Sequence, residues 1–383
     1  MKICIVIARP DALTKVGGDT IQAQSIATYL NKIPNVLVSV EAWSPQWRPD
    51  DFDLIHIFND RPLFLNDIME RCKSQKLKVL ISPIHHSFNE ILKLRLDSVP
   101  FVYAKRKIYK MLYKSRLKNE LCHILNISFD ILLLIKTLGM RTTLRYLSKP
   151  SFIFFRVSKF NEIFRLASQT IVLAEGEKLS LQNDYKLEVV DCKKIFNGVP
   201  LIDGSMRGNK LTMPHKIIVV GRIEKRKRQL MIAKLAEKQG IPITFIGAIS
   251  SNQSKYGRQF EKVLQESRFV NYFGELSHIE VLATMKNSRV LFSASLSEVL
   301  SLVEIEALSL GLHVVTTGVG YTNELANSKN FSIYDDEDVL SGLMTAKTMT
   351  ELQSISTDSR VWPSWEEIAN EYLNSYYEIL GTA

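Results

Sequence analysis

Two stretches of this chain alternate short apolar runs with helical patterns, and that alternation most restricts its fold. In the first hundred residues Ile3–Ala8, Val36–Val40, Leu54–Phe58 and Val79–Ile84 read as buried strands, with a helical pattern at Ile21–Leu30. Between 200 and 362 the pattern returns, with strands at Ile217–Val220, Ile243–Ile246, Val290–Phe292 and Val314–Thr317. Helical patterns separate them at Met231–Lys238, Phe260–Glu266, Val281–Met285 and Val303–Leu310. Strands that are apolar throughout and alternate with helices imply parallel sheets covered on both faces. A chain of 383 residues is too long for one ordinary core and suits two domains. The expectation is an α/β protein of two Rossmann-like, doubly wound domains facing a cleft, with ligands at the carboxyl ends of the strands.

The segment Ser297 to Gly311 places Glu298 just before a helix and Glu306 inside it, with seven residues between them. The helix is predicted from about Ser301 to Gly311, a good residue for a left-handed C-terminal position. Glu304 and Glu306 are two apart and point to opposite sides of it. Glu306 sits among Leu302, Val303, Ile305, Ala307 and Leu310, where a carboxylate is costly unless hydrogen-bonded, and a sugar diol is a suitable donor pair. Glu304 is read as lying on a solvated face. Upstream, the buried strand His215 to Val220 empties into Gly221-Arg222-Ile223-Glu224-Lys225-Arg226-Lys227-Arg228. Gly221 lets backbone come close, Arg222 offers a planar fork for phosphate oxygens, and Lys227 a mobile point charge. The competing reading is a solvated basic loop.

Together, the two segments resemble the retaining glycosyltransferases of family 4, which have the GT-B fold. The matches to the family pattern are Gly221, Arg222, Lys227, Glu298, Glu306, Ala307 and Gly311. Asn197-Gly198-Val199-Pro200 resembles the family's linker into its second domain. Thr170 to Lys178 resembles the last strand of the first domain and its turn, and Tyr272-Phe273-Gly274-Glu275-Leu276 the strand and loop beside the nucleotide base. The resemblance is strong from about Thr170 to Tyr377, weaker from Met1 to Asn89, and absent between about Val102 and Arg165. His313 stands where the family usually has Pro, and Val299-Leu300 where many members have a small residue and an aromatic. The domains implied are 1–195, 196–362, and a C-terminal helix, 363–383, crossing back to the first.

The resemblance implies transfer of a sugar from a nucleotide-diphosphate sugar to an acceptor hydroxyl with retention. Fixed positive charge at the departing diphosphate would come from Arg222 and Lys227, helped by backbone N–H groups at Ser301 and Leu302, since helix N-termini bind anions. Glu306 would hold the ribose and Glu298 the donor sugar. Gly17 and Gly18 would bring backbone close to the donor. His85 matches a family histidine that contacts the donor sugar, with His86 as the alternative in register. No cofactor and no metal is expected. Asp51-Phe52-Asp53 precedes a strand, where metal-binding carboxylates normally follow one, and is read as a turn.

The net charge of +9 is concentrated in one place. Between Tyr103 and Arg165, fourteen Lys and Arg face only Glu120, Asp130 and Glu162, an excess of +11, so the remainder is slightly acidic. Lys105 to Lys114 is basic and amphipathic, Ile127 to Ile135 strongly apolar, and Phe152 to Arg156 aromatic. This insertion, about 103–165, suits an anionic membrane surface. The alternative is a helical insertion packed onto the first domain. No apolar stretch reaches the roughly 18 residues of a membrane span, and Ile3 to Ala8, ending at Arg9-Pro10, reads as a first strand and not a leader. Four scattered cysteines, Cys4, Cys72, Cys122 and Cys192, favour reduced thiols. The expected protein is cytoplasmic, peripheral on the inner face of the cell membrane. Its expected acceptor is a glycan or lipid-linked glycan of O-antigen, capsule or exopolysaccharide type. The alternatives are a soluble enzyme for a small-molecule or protein acceptor and, from another class, a nucleic-acid-binding protein using the basic segment. No nucleic-acid motif is present, and that last reading leaves the Glu298/Glu306 and Arg222/Lys227 sets unexplained.

Overall fold

The computed structural model describes residues 1–96, 118–148, 157–187, 192–200, 216–249, 254–326, 329–352 and 362–381. The chain divides into two compact units, Met1–Gly198 with Pro363–Ala383, and Val199–Trp362.

The first unit holds β1 (Lys2–Ile7), β2 (Leu37–Ala42), β3 (Leu54–Phe58), β4 (Lys78–Ser82), β5 (Gln169–Val172) and β6 (Cys192–Lys194) in one parallel sheet, ordered β2-β1-β3-β4-β5-β6. Its helices are α1 (Gly18–Leu30), α2 (Pro62–Ser74), α3 (Phe88–Leu96), α4 (Lys118–Leu138), α5 (Met140–Leu147), α6 (Val157–Leu166) and α7 (Glu175–Tyr185). All five residues of β3 are buried, as are Ile3 to Ile7 of β1, which is why these strands are apolar on both faces. The strand at Thr170 is not the last of this sheet, since β6 pairs with it through Ile171 and Lys193.

The second unit holds β7 (Ile217–Val220), α8 (Gln229–Gln239), β8 (Ile243–Ile246), α9 (Ser254–Glu266), β9 (Val270–Tyr272), α10 (His278–Lys286), β10 (Val290–Phe292), α11 (Leu302–Ser309), β11 (His313–Thr317), β12 (Phe331–Tyr334) and α12 (Val339–Glu351). Its sheet is parallel, ordered β12-β11-β10-β7-β8-β9. The last helix, α13 (Trp365–Leu380), belongs to the first unit. A capping box, Ser364 with Glu367, starts it. Tyr372 Oη meets Gln22 of α1, and Tyr376 Oη lies 2.8 Å from Nδ1 of His56, a ring that burial holds in its neutral form.

One expectation fails at α4. Its 21 residues include a window of mean hydropathy 1.7, long and apolar enough to cross a membrane by length and composition alone. Reading uninterrupted runs missed it, because Asp130 breaks the run without lowering the average enough. That Asp130 is buried and paired with Arg61 at 2.6 Å, and it also accepts the Leu63 N–H at 3.1 Å. Cys122, His123 and Leu134 are buried on the same helix, so one face of α4 docks on the first unit. Ile124 and Leu132, 54% and 58% exposed, lie outside that contact. Lys105 to Lys114 and Phe152 to Arg156 fall outside the described residues.

Candidate active site

β7 and β10 are neighbours, and the chain leaves them in opposite directions, towards β8 and β9 on one side and β11 and β12 on the other. Such a reversal opens a crevice at the carboxyl ends of the two strands. The basic loop starting at Gly221 leaves β7 there, and the Glu298 loop leaves β10 there.

Gly221 has φ +137°, in the region that favours glycine. A Cβ at this position would lie 3.0 to 3.2 Å from the Cδ, Cε and Nζ of Lys227, so the glycine also clears the path of that side chain. Lys227 donates to Glu298 Oε1 at 2.9 Å. Arg226 meets the same oxygen at 2.8 Å and Glu224 at 2.9 Å, while Ser295 Oγ donates to Glu298 at 2.9 Å. Burial pushes the Glu298 carboxyl up, but Arg226 and Lys227 outweigh it and hold it far below the usual carboxylate range. Arg222 is 42% exposed and only within 4.0 Å of Glu224, which leaves its guanidinium facing outward. The Glu298 loop is clasped from behind by Gly320, φ +66°, whose added Cβ would sit 2.1 Å from Glu298 O. Next to it, Tyr321 N–H donates to Val299 O.

Ser301 is the N-cap of α11, and its side chain makes no capping bond there. Leu302 is the first helical residue. Glu306 is buried, and its Oε1 lies 2.7 Å from Nε2 of His278, the first residue of α10. That hydrogen bond raises the His278 pKa above its ordinary value, against partial burial. Glu304 is not on a solvated face: it is 1% exposed. The two glutamates do point to opposite sides, but α11 is covered on both, by α10 beside Glu306 and by β11 beside Glu304. Thr316 Oγ1 of β11 donates to Glu304 Oε1 at 2.8 Å.

Gly221, Lys227, Glu298 and Ser301 thus come together, with Arg222 at the rim and Glu306 across α11. The remaining predicted residues are in the first unit. Gly17 caps α1 and Gly18 starts it. Beside them Asp19 binds Arg9 at 2.8 Å and Asn59 at 3.2 Å, and a Cβ on Gly17 would sit 2.8 Å from Asp19 Oδ1. His85 is 1% exposed, with Nδ1 2.6 Å from Asp60 and Nε2 3.0 Å from Asp184. Both ring nitrogens are engaged, so His85 has none to offer a sugar hydroxyl; the half-buried neighbour His86 is the residue of the pair nearer solvent. Burial lowers the His85 pKa, but Asp60 and Asp184 overcome it and bring it to about 10, so the ring is a buried cation. Glu177 accepts the His85 and Leu173 backbone N–H groups at 2.7 and 2.6 Å, and burial pushes its carboxyl up to about 7. Asp53 accepts the Lys2 N–H, and Asp51 has φ 68°, which makes the Asp51-Phe52-Asp53 segment a turn. Among the described residues no group of three or more His, Cys, Asp or Glu is placed to hold a metal ion.

Sequence reasoning missed Arg226, Glu224, Ser295, His278 and Gly320. Arg226 was visible as part of the basic run, but nothing in the run singled it out.

Residues 205–342 match the family model described as Glycosyl transferases group 1. The matched residues all lie within the second unit. Solved structures agree on the fold across the whole chain. Sucrose-phosphate synthase from Thermosynechococcus elongatus is 14% identical, with all of both chains covered and a TM-score of 0.68. Anabaena HepE in complex with UDP is 14% identical over 100% of this chain and 97% of its own, with a TM-score of 0.59. The lipopolysaccharide outer core galactosyltransferase WaaB, in its apo form, is 11% identical over 99% of each chain, with a TM-score of 0.53. No curated protein sequence matches the chain significantly. The family match in the second unit and the two Rossmann-like units agree on the GT-B fold.

Proposed function

We propose that this protein is a glycosyltransferase that moves a sugar, with retention and without a metal, from a nucleotide-diphosphate sugar to a hydroxyl of a lipid-linked or growing surface glycan. The observation that supports it most is the convergence of Lys227 and Arg226 on Glu298 at the switch point of the second unit, with Arg222 exposed beside them. HepE, whose fold this chain shares, has been solved with UDP-glucose.

In the reaction the bond from the anomeric carbon to the β-phosphate oxygen breaks, and its electron pair leaves with the diphosphate. The acceptor oxygen forms the new bond on the same face, and its proton passes to the departing diphosphate. Negative charge grows on the leaving group, and Arg222, Lys227 and the N–H groups at the start of α11 meet it. Lys227 is already held by Glu298, so the donor enters a site whose cation is in place. Glu298 is left to face the sugar hydroxyls, and Glu306 the ribose, where the diol would replace His278.

A lipid-linked acceptor is favoured by the surface of α4 and α5. Leu121, Ile124, Leu132, Met140 and Leu144 are exposed there, with Arg141 and Arg145 exposed on the same short helix as Leu144. Apolar side chains beside cations suit the inner face of an anionic membrane.

The test is a thermal-shift screen with UDP, GDP, ADP and dTDP, followed by product analysis with the matching nucleotide sugar. A ligand of the native state raises the melting temperature by mass action. The expected result is a shift with at least one nucleotide and a product of retained configuration. No shift with any of the four, or an inverted product, overturns the reading.

A further inference from the structure

We propose that Glu304 is a positioning residue of the donor-phosphate site, a buried carboxyl whose proton leaves the charge of Lys227 undivided for an incoming diphosphate. The proposal rests on the reading of this pocket as the donor site.

The geometry points to it in two ways. Glu304 is almost fully buried and uses one oxygen, Oε1, to accept from Thr316. Its other oxygen, Oε2, is buried with no hydrogen-bond partner. An ionised carboxylate with an unmet oxygen is expensive in such a place, whereas the neutral acid is tolerated. The same side chain lines a cavity with Val220, Lys227, Ser293, Ser295 and Ser301, at the carboxyl ends of β7 and β10 and the start of α11. A group there shares space with whatever Lys227 binds.

The charges around Glu304 come from every element packed on it. Lys227 approaches from the turn after β7, and Glu298, tied to Arg226, from the loop after β10. Tyr334 of β12 lies near and donates its hydroxyl to Ser293 O. Thr316 of β11 and Ser293 are neutral. His278 faces Glu306 on the other side of α11. Burial pushes the Glu304 carboxyl up to about 7; the Thr316 hydroxyl, Lys227 and the nearby Ser293 hydroxyl pull it down without cancelling that rise, and Glu298 raises it further.

This places its titration where cells live, and the sign follows. Below about pH 7 Glu304 is neutral, and Arg226 and Lys227 face Glu298 and Glu224 alone. Above it a further negative charge enters the pocket, draws on the field of Lys227 and repels a diphosphate. One such charge a few ångströms away at the effective dielectric of a partly wet site shifts affinity by roughly tenfold.

The experiment measures binding of UDP-glucose, GDP-mannose, ADP-glucose and dTDP-glucose by calorimetry from about pH 5.5 to about pH 8.5 at constant ionic strength. The diphosphate of a nucleotide sugar has no proton to lose in that range, so the ligand adds no titration of its own. The whole protein is used as wild type, Glu304→Gln and His278→Gln. Glu304→Gln keeps the size of the side chain and an acceptor for Thr316. In the wild type the affinity falls about tenfold with rising pH, with its midpoint near 7. His278→Gln keeps that fall, and Glu304→Gln holds the low-pH affinity throughout. Wild-type binding above the midpoint also takes up a proton, read from heats in two buffers of different ionisation enthalpy; this needs no variant and decides the matter if Glu304→Gln does not fold. A pH-independent wild type, a fall that survives Glu304→Gln, or binding without proton uptake overturns the proposal alone. No binding of any of the four sugars at any pH overturns the donor-site reading and this proposal with it.

Discussion

Lys227 and Arg226 meet the same oxygen of Glu298, yet their surroundings give them different duties. Arg226 spends its other contacts on Glu224 and on Ser297 O at 2.6 Å, so it ties the two loops together. Lys227 makes one such bond and lines the cavity. Lys227→Ala should therefore cost about tenfold to a hundredfold in turnover, the worth of one charge-assisted hydrogen bond in the transition state, with little loss of stability. Arg226→Ala strips the half-buried Glu298 carboxylate of one of its two cationic partners and unties the two loops, and should lower the melting temperature of the second unit before any rate is measured. Steady-state kinetics and thermal melts on the two variants separate these outcomes, and equal melting losses would refute the division. The residues legible in the sequence, Arg222, Lys227, Glu298 and Glu306, were those whose spacing along the chain is itself the signal. Arg226 and His278 were not, because their meaning lies in partners from other segments. Arg226 reads as one more cation in a basic run until Glu298 is placed against it. Nothing in the Ser277-His278 pair says that Glu306 lies 2.7 Å from the ring.

Among the elements, the turn after β4 is held by more charge than its sequence suggests. His85 sits as a cation between Asp60, from the loop after β3, and Asp184, from the end of α7, while Tyr185 Oη also donates to Asp60 at 2.9 Å. Three elements are thereby pinned through one ring. The His85 pKa is raised from 6.5 to about 10 on folding, so the charged cage stabilises the first unit fully below pH 6.5 and loses that contribution as pH rises through about 10. Chemical denaturation at increasing pH should show this loss in the wild type. His85→Gln should be less stable at neutral pH but show a flatter alkaline decline, and an alkaline profile identical to the wild type would remove His85 as the cause. The strands themselves were easy to read, since β1, β3 and β7 are short, mainly apolar runs that are almost wholly buried. Helices α3 and α7 and strand β6 were harder. β6 has only Cys192, Lys193 and Lys194, with no apolar periodicity, and it is a strand because β5 offers an open edge. Glu304 was misplaced for a related reason: a two-residue spacing fixes opposite sides of a helix, but whether both sides are covered depends on the layers packed around it.

At the scale of the whole molecule, the distribution of charge and apolar surface bears on where the protein works. The site assigned to the donor supplies Arg222, Arg226, Lys227 and a helix N-terminus, so transfer is expected to continue in EDTA; complete loss restored by manganese would sink the metal-independent reading. The membrane claim draws on other residues. Arg61 and Asp130 fix one face of α4 to the first unit, and that contact leaves Leu121, Ile124 and Leu132 pointing away, with Met140, Arg141, Leu144 and Arg145 following on α5. A helix held by a buried ion pair on one side is placed to lie on a surface, despite being long enough to cross one. If this face docks on anionic lipid, Arg141→Gln with Arg145→Gln should weaken flotation with phosphatidylserine-containing liposomes, since each basic residue near such a surface contributes about 1 kcal/mol. Leu132→Ser with Leu144→Ser should weaken it further and in a salt-independent way, because the apolar contribution is not screened. Both double variants should keep wild-type binding of the donor nucleotide, whose proposed contacts Arg222, Lys227 and Glu306 lie in the second unit. Transfer to a lipid-linked acceptor should fall while transfer to a water-soluble analogue holds. Unchanged flotation of both variants would leave α4 and α5 as packing elements and favour a soluble acceptor.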